Sequence, residues 1–223
     1  MTGDSSPSCS SAARGPGRAK PILLLDVDGP LNPYRLITRR GHLRPKSRYR
    51  ERTYSYQRHE FQPDESIHTD PYPVLISADH GAALNKLLQV FSLVWASTWE
   101  QSANTFLAPL LGIPELPYIE WPPLAREWTL RERHHGSWKT KHVASWLDEH
   151  AERTPWAWVD DEITREDRDW FHRLYGDTRG GPFAVERLLM TIHPKHGLRE
   201  FDFDELCAWG IKQLGGNAAS CPG

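Results

Sequence analysis

The chain has 223 residues, of which 39% are hydrophobic and 25% charged, and its formal net charge is −2. This length and composition fit one globular domain and exclude a largely disordered chain. The near-neutral charge favours no class of partner, and no apolar run reaches the roughly 20 residues that span a bilayer. We therefore expect no membrane anchor.

The chain begins with 20 residues rich in Ser, Gly and Ala, without the apolar core of a signal peptide. We expect a disordered tail there and a second, shorter tail over residues 215–223. The cysteines, Cys9, Cys207 and Cys221, are odd in number and form no CxxC pair. This spacing predicts no zinc site and favours a reducing, cytoplasmic location.

Short apolar runs alternate with segments of helical periodicity along the chain. The runs predict strands at residues 21–25, 72–77, 92–96, 117–121, 156–159 and 187–192. Apolar spacing predicts helices near residues 84–91 and 103–111, from about Lys139, and over 203–214. Together they predict an α/β fold over residues 21–214, a three-layer α/β/α sandwich with a mainly parallel, Rossmann-like sheet.

Acidic and hydroxyl side chains follow three of the predicted strands. Asp26 and Asp28 follow the first strand, Ser97 follows the strand at 92–96, and Asp160 and Asp161 follow the strand at 156–159. Ligands of parallel sheets bind beyond the carboxyl ends of the strands. Clustered carboxylates are costly to bury without a cation, and Mg²⁺ prefers oxygen ligands. These residues therefore predict a magnesium site at that edge.

Four motifs resemble those of the haloacid dehalogenase superfamily, in the same order. DVDGPL at residues 26–31 resembles the first motif, DxDGxL after an apolar strand. VWAS at 94–97 resembles the second, WK at 138–139 the third, and WVDD at 158–161 the fourth. LNP at 31–33, WASTWE at 95–100 and WVDDE at 158–162 are similar to a narrower branch, the phosphatase-like domain associated with Swiss Army Knife RNA-repair proteins.

The resemblance implies a role for each motif residue in phosphoryl transfer. Asp26 would attack phosphorus and form an aspartyl phosphate. Asp28 would protonate the leaving oxygen and then activate water. Ser97 and Lys139 would contact phosphoryl oxygens. On the residues alone, Thr98 remains an alternative to Ser97, which could also cap the following helix.

The resemblance also implies the metal and the reaction. Mg²⁺ would bind Asp26, the backbone carbonyl of Asp28 and Asp161, with Asp160 alongside. The last two acids could instead cap the helix that follows them. The expected function is a magnesium-dependent phosphatase that acts on a nucleotide or a polynucleotide end. A phosphotransferase of the same fold and a non-enzymatic nucleic-acid-binding module are the alternatives.

Two lysines compete for the third-motif role. Lys139 lies nearer the predicted helix start than Lys141, and a helix N-terminus already favours an anion. Lys141 lies about 200° further around the helix, so the two cannot contact the same oxygen. The helix position favours Lys139.

A basic insertion is predicted after the first strand, over residues 34–71. Within it, Arg35 to Arg58 holds nine Arg or Lys residues and one acid, whereas the rest of the chain holds 18 basic and 28 acidic residues. Tyrosines at 34, 49, 54 and 56 are interleaved with the arginines. Basic residues with aromatics are typical of contact with a nucleic-acid strand, such as an RNA or DNA end. A solvated loop is equally compatible, and the oligomeric state stays open.

Overall fold

The structure of the protein is a computed structural model that describes residues 19–33, 49–58, 68–122, 136–176 and 185–216. Within these ranges the strands are β1 (Ile22–Leu25), β2 (Tyr49–Arg58), β3 (His68–Ser77), β4 (Ser92–Trp95), β5 (Trp156–Asp160) and β6 (Arg187–Thr191). The helices are α1 (Ala78–Val90), α2 (Ala108–Leu111), α3 (Thr140–His150), α4 (Arg165–Tyr175) and α5 (Glu200–Gln213). A π-helical turn, Ala103–Leu107, leads into α2.

Four of the described strands form a parallel sheet in the order β4-β1-β5-β6. The chain passes from β1 to β4 on one side and then to β5 on the other side of β1. The strand order therefore reverses between β1 and β5. In parallel α/β sheets, ligands bind beyond the strand ends at such a switch point.

Hydrophobic clusters cover both faces of this sheet. One cluster joins Leu23 and Leu25 of β1 to residues of α1, α2 and α5. The other joins Ile22 and Leu24 of the same strand to residues of α3 and α4. Alternate residues of a strand point to opposite faces, so a fully buried apolar strand contributes to two clusters. The predicted α/β fold, with helices on both faces of a parallel sheet, is confirmed.

The insertion after β1 contains a β-hairpin that the sequence did not predict. β2 pairs antiparallel with β3, with Tyr49 opposite Ser77 and Arg58 opposite His68. The strand predicted at residues 72–77 therefore begins earlier, at His68, and belongs to a separate two-stranded sheet. Residues 34–48 and 59–67 of the insertion lie outside the described residues.

Two other elements differ from the predictions. Residues 117–121 form no strand, and an isolated bridge joins Tyr118 to Trp95. Pro117 has no N–H for a ladder, and the N–H of Trp121 donates to Oε1 of Glu100 instead. Helix α4 was not predicted. Asp167 and Phe171 are its only buried residues, so its apolar periodicity is too weak to see.

Three remaining expectations concern the tails, the cysteines and the membrane. The predicted tails lie almost wholly outside the described residues. Cys207 of α5 is buried, and Cys9 and Cys221 lie outside the described residues. The reducing, cytoplasmic location expected from the cysteine spacing stays a prediction. Among the described helices, none is both long and apolar enough to cross a membrane.

Candidate active site

The switch point brings together the acids that follow β1 and β5. Asp26 directly follows β1, and its N–H donates to the carbonyl of Val159 at 3.0 Å, continuing the ladder between the two strands. Asp160 is the last residue of β5. Both carboxylates are buried. Carboxylate oxygens of Asp26, Asp160 and Asp161 all lie within 4.8 Å of one another.

Lys139 lies inside this acidic cluster. It immediately precedes α3, its exposed fraction is 3%, and its Nζ donates to Oδ2 of Asp26 at 2.8 Å and to Oδ2 of Asp160 at 2.7 Å. The other oxygen of Asp160 accepts the backbone N–H of Glu162 at 2.8 Å. Lys141, the competing lysine, is exposed. Of the two lysines, only Lys139 is therefore buried among the acids.

The cluster carries more negative charge than one lysine neutralises. Burial raises the pKa of Asp161 to about 7, and the charge of Asp26 adds to the rise. Burial also raises the pKa of Asp160, against the opposing charge of Lys139. For Lys139, burial acts to lower the pKa, but the charges of Asp160 and Asp26 outweigh it, so the pKa is raised. A hard divalent cation would compensate the excess charge, and the carboxylate donors suit Mg²⁺.

Asp28 lies outside this cluster and is held by two donors. Its Oδ1 accepts Nδ2 of Asn32 at 2.7 Å, and its Oδ2 accepts Nε1 of Trp99 at 3.0 Å. The side chain is only partly buried. Its carboxylate is thus oriented separately from the three acids, and only its backbone carbonyl remains as the metal ligand that the resemblance implied.

Ser97 occupies the turn that follows β4. It is buried, whereas Thr98 is exposed. Its Oγ accepts the N–H of Trp99 at 3.5 Å, and its carbonyl accepts the N–H of Glu100 at 3.1 Å. The side chain of Glu100 instead accepts the backbone N–H of Trp121. The alternative role of Ser97 as a helix cap, through a capping box with Glu100 three residues on, is therefore not formed.

The hairpin is joined to the first-motif turn through Asn32, a contact that sequence reasoning missed. Asn32 is buried, and its Oδ1 accepts the N–H of Leu75 in β3 at 2.8 Å while its Nδ2 reaches Asp28. Trp99 was part of a quoted motif, but its hydrogen bond to Asp28 spans 71 residues of sequence. Spacing along the chain cannot reveal such a pair.

A parallel sheet with one aspartate after β1, two at the end of β5 and a buried lysine between them defines a haloacid dehalogenase (HAD)-type hydrolase fold. The protein-family comparison agrees, because the family described as “HAD domain in Swiss Army Knife RNA repair proteins” matches residues 22–200. The chain belongs to this family, and the resemblance drawn from the four motifs is confirmed. Neither curated proteins nor solved structures gave a match.

Proposed function

We propose that the protein is a phosphatase in which Asp26 takes the phosphoryl group from a phosphomonoester. The observation that carries this proposal is the position of Lys139, whose Nζ lies 2.8 Å from Asp26 and 2.7 Å from Asp160. Phosphoryl transfer depends mainly on positioning and on neutralising charge that develops on the phosphoryl oxygens. A buried lysine beside a carboxylate nucleophile supplies both.

The reaction takes two steps on the side chains of the chain. An oxygen of Asp26 bonds to phosphorus while the bond to the leaving-group oxygen breaks, and Asp28 donates a proton to that oxygen. Asp28 then takes a proton from water, whose oxygen bonds to phosphorus and releases phosphate from Asp26. The hydrogen bonds from Asn32 and Trp99 to Asp28 support this role, since they fix the carboxyl group.

Magnesium is the cation that we propose for the acidic cluster. Asp26, Asp161 and the backbone carbonyl of Asp28 would hold it, and when bound it would neutralise charge on the phosphoryl group. Asp160 is the fully buried last residue of β5, whereas Asp161 follows the strand and is only half-buried. This difference supports a direct metal contact from Asp161 and a supporting role for Asp160.

We propose further that the phosphoester is the end of an RNA or DNA strand. Nine basic residues between Arg35 and Arg58 are more than a small monoester requires. Within β2, positions 50, 52, 54, 56 and 58 are Arg, Arg, Tyr, Tyr and Arg. The link from β3 through Asn32 to Asp28 supports delivery of a strand from the hairpin to the site.

The first experiment measures phosphate release from p-nitrophenyl phosphate, nucleotides, sugar phosphates, and oligonucleotides with a 5′- or 3′-phosphate, with and without Mg²⁺. We expect release that requires the metal and greatest efficiency on an oligonucleotide. The absence of release from every substrate would favour the non-enzymatic alternative. Transfer to an added alcohol in preference to water would favour the phosphotransferase.

The second experiment tests the hairpin with a matched pair of variants. One changes Arg50, Arg52 and Arg58 of β2 to Gln, and the other changes the exposed Lys86, Arg173 and Lys212 to Gln. The first should keep turnover of p-nitrophenyl phosphate and lose at least about tenfold in kcat/KM on the oligonucleotide. The affinity of this variant for the oligonucleotide should also depend less on salt. For single strands, each lost phosphate contact reduces the slope of log affinity against log salt concentration by about 0.7. Equal effects of the two variants would contradict the substrate proposal.

A further inference from the structure

Asp167 is a buried carboxylate that joins two segments of the candidate site. It lies in the first turn of α4, and its exposed fraction is 1%. From its own helix start it accepts the N–H and the Oγ1–H of Thr164, each at 2.8 Å. From the start of α3 it accepts the N–H of Ser137 at 2.9 and 3.1 Å and the Oγ1–H of Thr140. Oδ1 therefore accepts from the start of α3, whereas Oδ2 accepts from Thr164 and, at 3.1 Å, from Ser137 as well.

The two segments are the ones that carry Lys139 and the acids of β5. Ser137, whose N–H is held by Asp167, accepts the N–H of Lys139 on its Oγ at 3.3 Å. Thr140 directly follows Lys139 and begins α3. On the other side, Thr164 lies three residues after Asp161. Asp167 thus connects the turn that presents the lysine to the turn that presents the acids.

A helix cap alone does not account for this arrangement. Capping α4 requires only the contacts with Thr164, whereas Ser137 and Thr140 lie 30 and 27 residues away in sequence. The chain also makes room for the long-range contacts. A Cβ on Gly136 would lie 2.2 Å from Oδ1 of Asp167, although the backbone of Gly136 is not in the left-handed region. The space at Gly136 is therefore taken by Asp167.

We propose that Asp167 is a positioning residue that fixes Lys139 between Asp26 and Asp160. Lys139 must meet two carboxylates at once, at 2.8 and 2.7 Å, and a displacement of about 1 Å at such a site lowers turnover by about 10²-fold. Asp167 fixes the position of the first residues of α3, and therefore the position of the backbone from which the Lys139 side chain extends. The expected effect on turnover rests on the proposed phosphatase function, but the placement of Lys139 does not.

The test separates the contacts that Asp167 makes with the start of α3 from those that it makes with the start of α4. Thr140→Val removes the hydroxyl contact to α3, leaving the N–H of Ser137 on Asp167 and the cap of α4 in place. Thr164→Val removes the hydroxyl contact of the cap, leaving the N–H of Thr164 and the contacts to α3 in place. Asp169→Asn is the control, because Asp169 is an exposed residue of the same helix that pairs with Arg165 at 3.8 Å. Thr140→Ser, which keeps the hydroxyl, is the conservative rescue.

Three quantities are measured for each variant: kcat and KM on p-nitrophenyl phosphate with Mg²⁺, the acetylation rate of Lys139 by acetic anhydride, read by mass spectrometry, and the melting temperature. Thr140→Val should lower kcat about tenfold or more with KM within about twofold, because the lysine acts on the reacting phosphoryl group. It should also raise acetylation of Lys139 severalfold. Thr140→Ser should behave like the wild type.

Thr164→Val should lower the melting temperature yet leave kcat and Lys139 acetylation within about twofold, and Asp169→Asn should change none of the three. The proposal is overturned if Thr140→Val leaves Lys139 acetylation unchanged, or if Thr140→Val and Thr164→Val act alike on it. A wild-type protein without phosphatase activity would refute the proposed function only, since the acetylation rates still report where Lys139 lies.

Discussion

Gly29 and Asp161 approach so closely that a Cβ on Gly29 would lie 2.5 Å from Cγ of Asp161. Gly29 also has a φ of +87°, in the region that side chains disfavour. The glycine of the first motif therefore meets two requirements at once. It allows the turn after Asp28, and it leaves room for an acid of the fourth motif beside the first.

Gly29→Ala should therefore disturb both the backbone and the acidic cluster. The left-handed conformation alone costs roughly 1–2 kcal/mol for a residue with a Cβ, and displacement of Asp161 adds to this. Gly112→Ala is the matched control, because Gly112 has a φ of +63° but no atom within 4 Å of its Cβ position. Thermal unfolding with and without Mg²⁺ should show a larger loss for Gly29→Ala, together with weaker stabilisation by the metal. Equal losses would show that the approach of Asp161 is unimportant.

The two acids of the fourth motif should differ in their response to metal. A ligand that binds only the folded state stabilises it by RT ln(1 + [L]/Kd), so the melting temperature should rise with the Mg²⁺ concentration. Asp161→Asn should abolish most of the Mg²⁺-dependent rise in melting temperature. Asp160→Asn should lower the melting temperature without metal, because Lys139 loses a partner, yet keep a rise at higher Mg²⁺. A greater loss of metal response in Asp160→Asn would reverse the two roles.

Lys139 and Lys141 offer a second matched pair. Lys139→Met keeps most of the volume but leaves the carboxylates of Asp26 and Asp160 without their cation, and breaking a buried pair costs roughly 3–5 kcal/mol. We expect kcat to fall by about 10²-fold or more, whereas the exposed Lys141→Met should stay within about twofold. Steady-state kinetics on variants that remain folded decides this. A similar loss in both would refute the choice of Lys139.

His80 should make stability depend on pH. It is buried, and its Nε2 lies 3.0 Å from the carbonyl of Leu198, which can only accept, so Nε2 carries the proton. Burial lowers the pKa of His80 below 6.5, against the opposing effects of Leu198 and Asp79. Below about pH 6.5 the unfolded chain therefore binds a proton that the folded chain resists. The contribution of neutral His80 to the free energy of unfolding is therefore fully present above about pH 6.5. It is lost as the pH falls towards the lowered pKa of the folded state.

The corresponding variant is His80→Gln, whose amide can still donate to Leu198. When the pH is lowered from 7.5 to 5.0, the melting temperature of the wild type should fall further than that of this variant. His172→Gln, at an exposed position of α4, should follow the wild type. Parallel curves for the wild type and His80→Gln would contradict the assignment.

The strand ends were predictable because each is marked in the local sequence. Leu23 to Leu25 and the residues before Asp160 are continuous apolar runs, and parallel strands bring the acids that follow them to one edge. Lys139 was predictable from its place at a helix start. The sequence could therefore name the residues of the cluster before their distances were known.

The contacts that orient those residues were not predictable. Asp28 meets Trp99 across 71 residues, and Asp167 meets Ser137 across 30. Hydrophobic periodicity gives no indication of contacts between residues so far apart in the sequence. One signal was present, since Thr164 and Asp167 have the spacing of a capping box, and it would have predicted the start of α4. The hydrogen bonds that Asp167 also accepts from the start of α3 depend on tertiary packing, which the local spacing does not reveal.

The central claim is that Asp26 is the nucleophile, and the most direct measurement compares phosphate release by the wild type and Asp26→Asn in saturating Mg²⁺. The substitution is nearly isosteric, and circular dichroism and thermal unfolding establish that the variant is folded. We expect release by the wild type and a loss of about 10³-fold or more in the variant, because an amide oxygen does not form the covalent intermediate. A folded Asp26→Asn with activity within about tenfold of the wild type would contradict it.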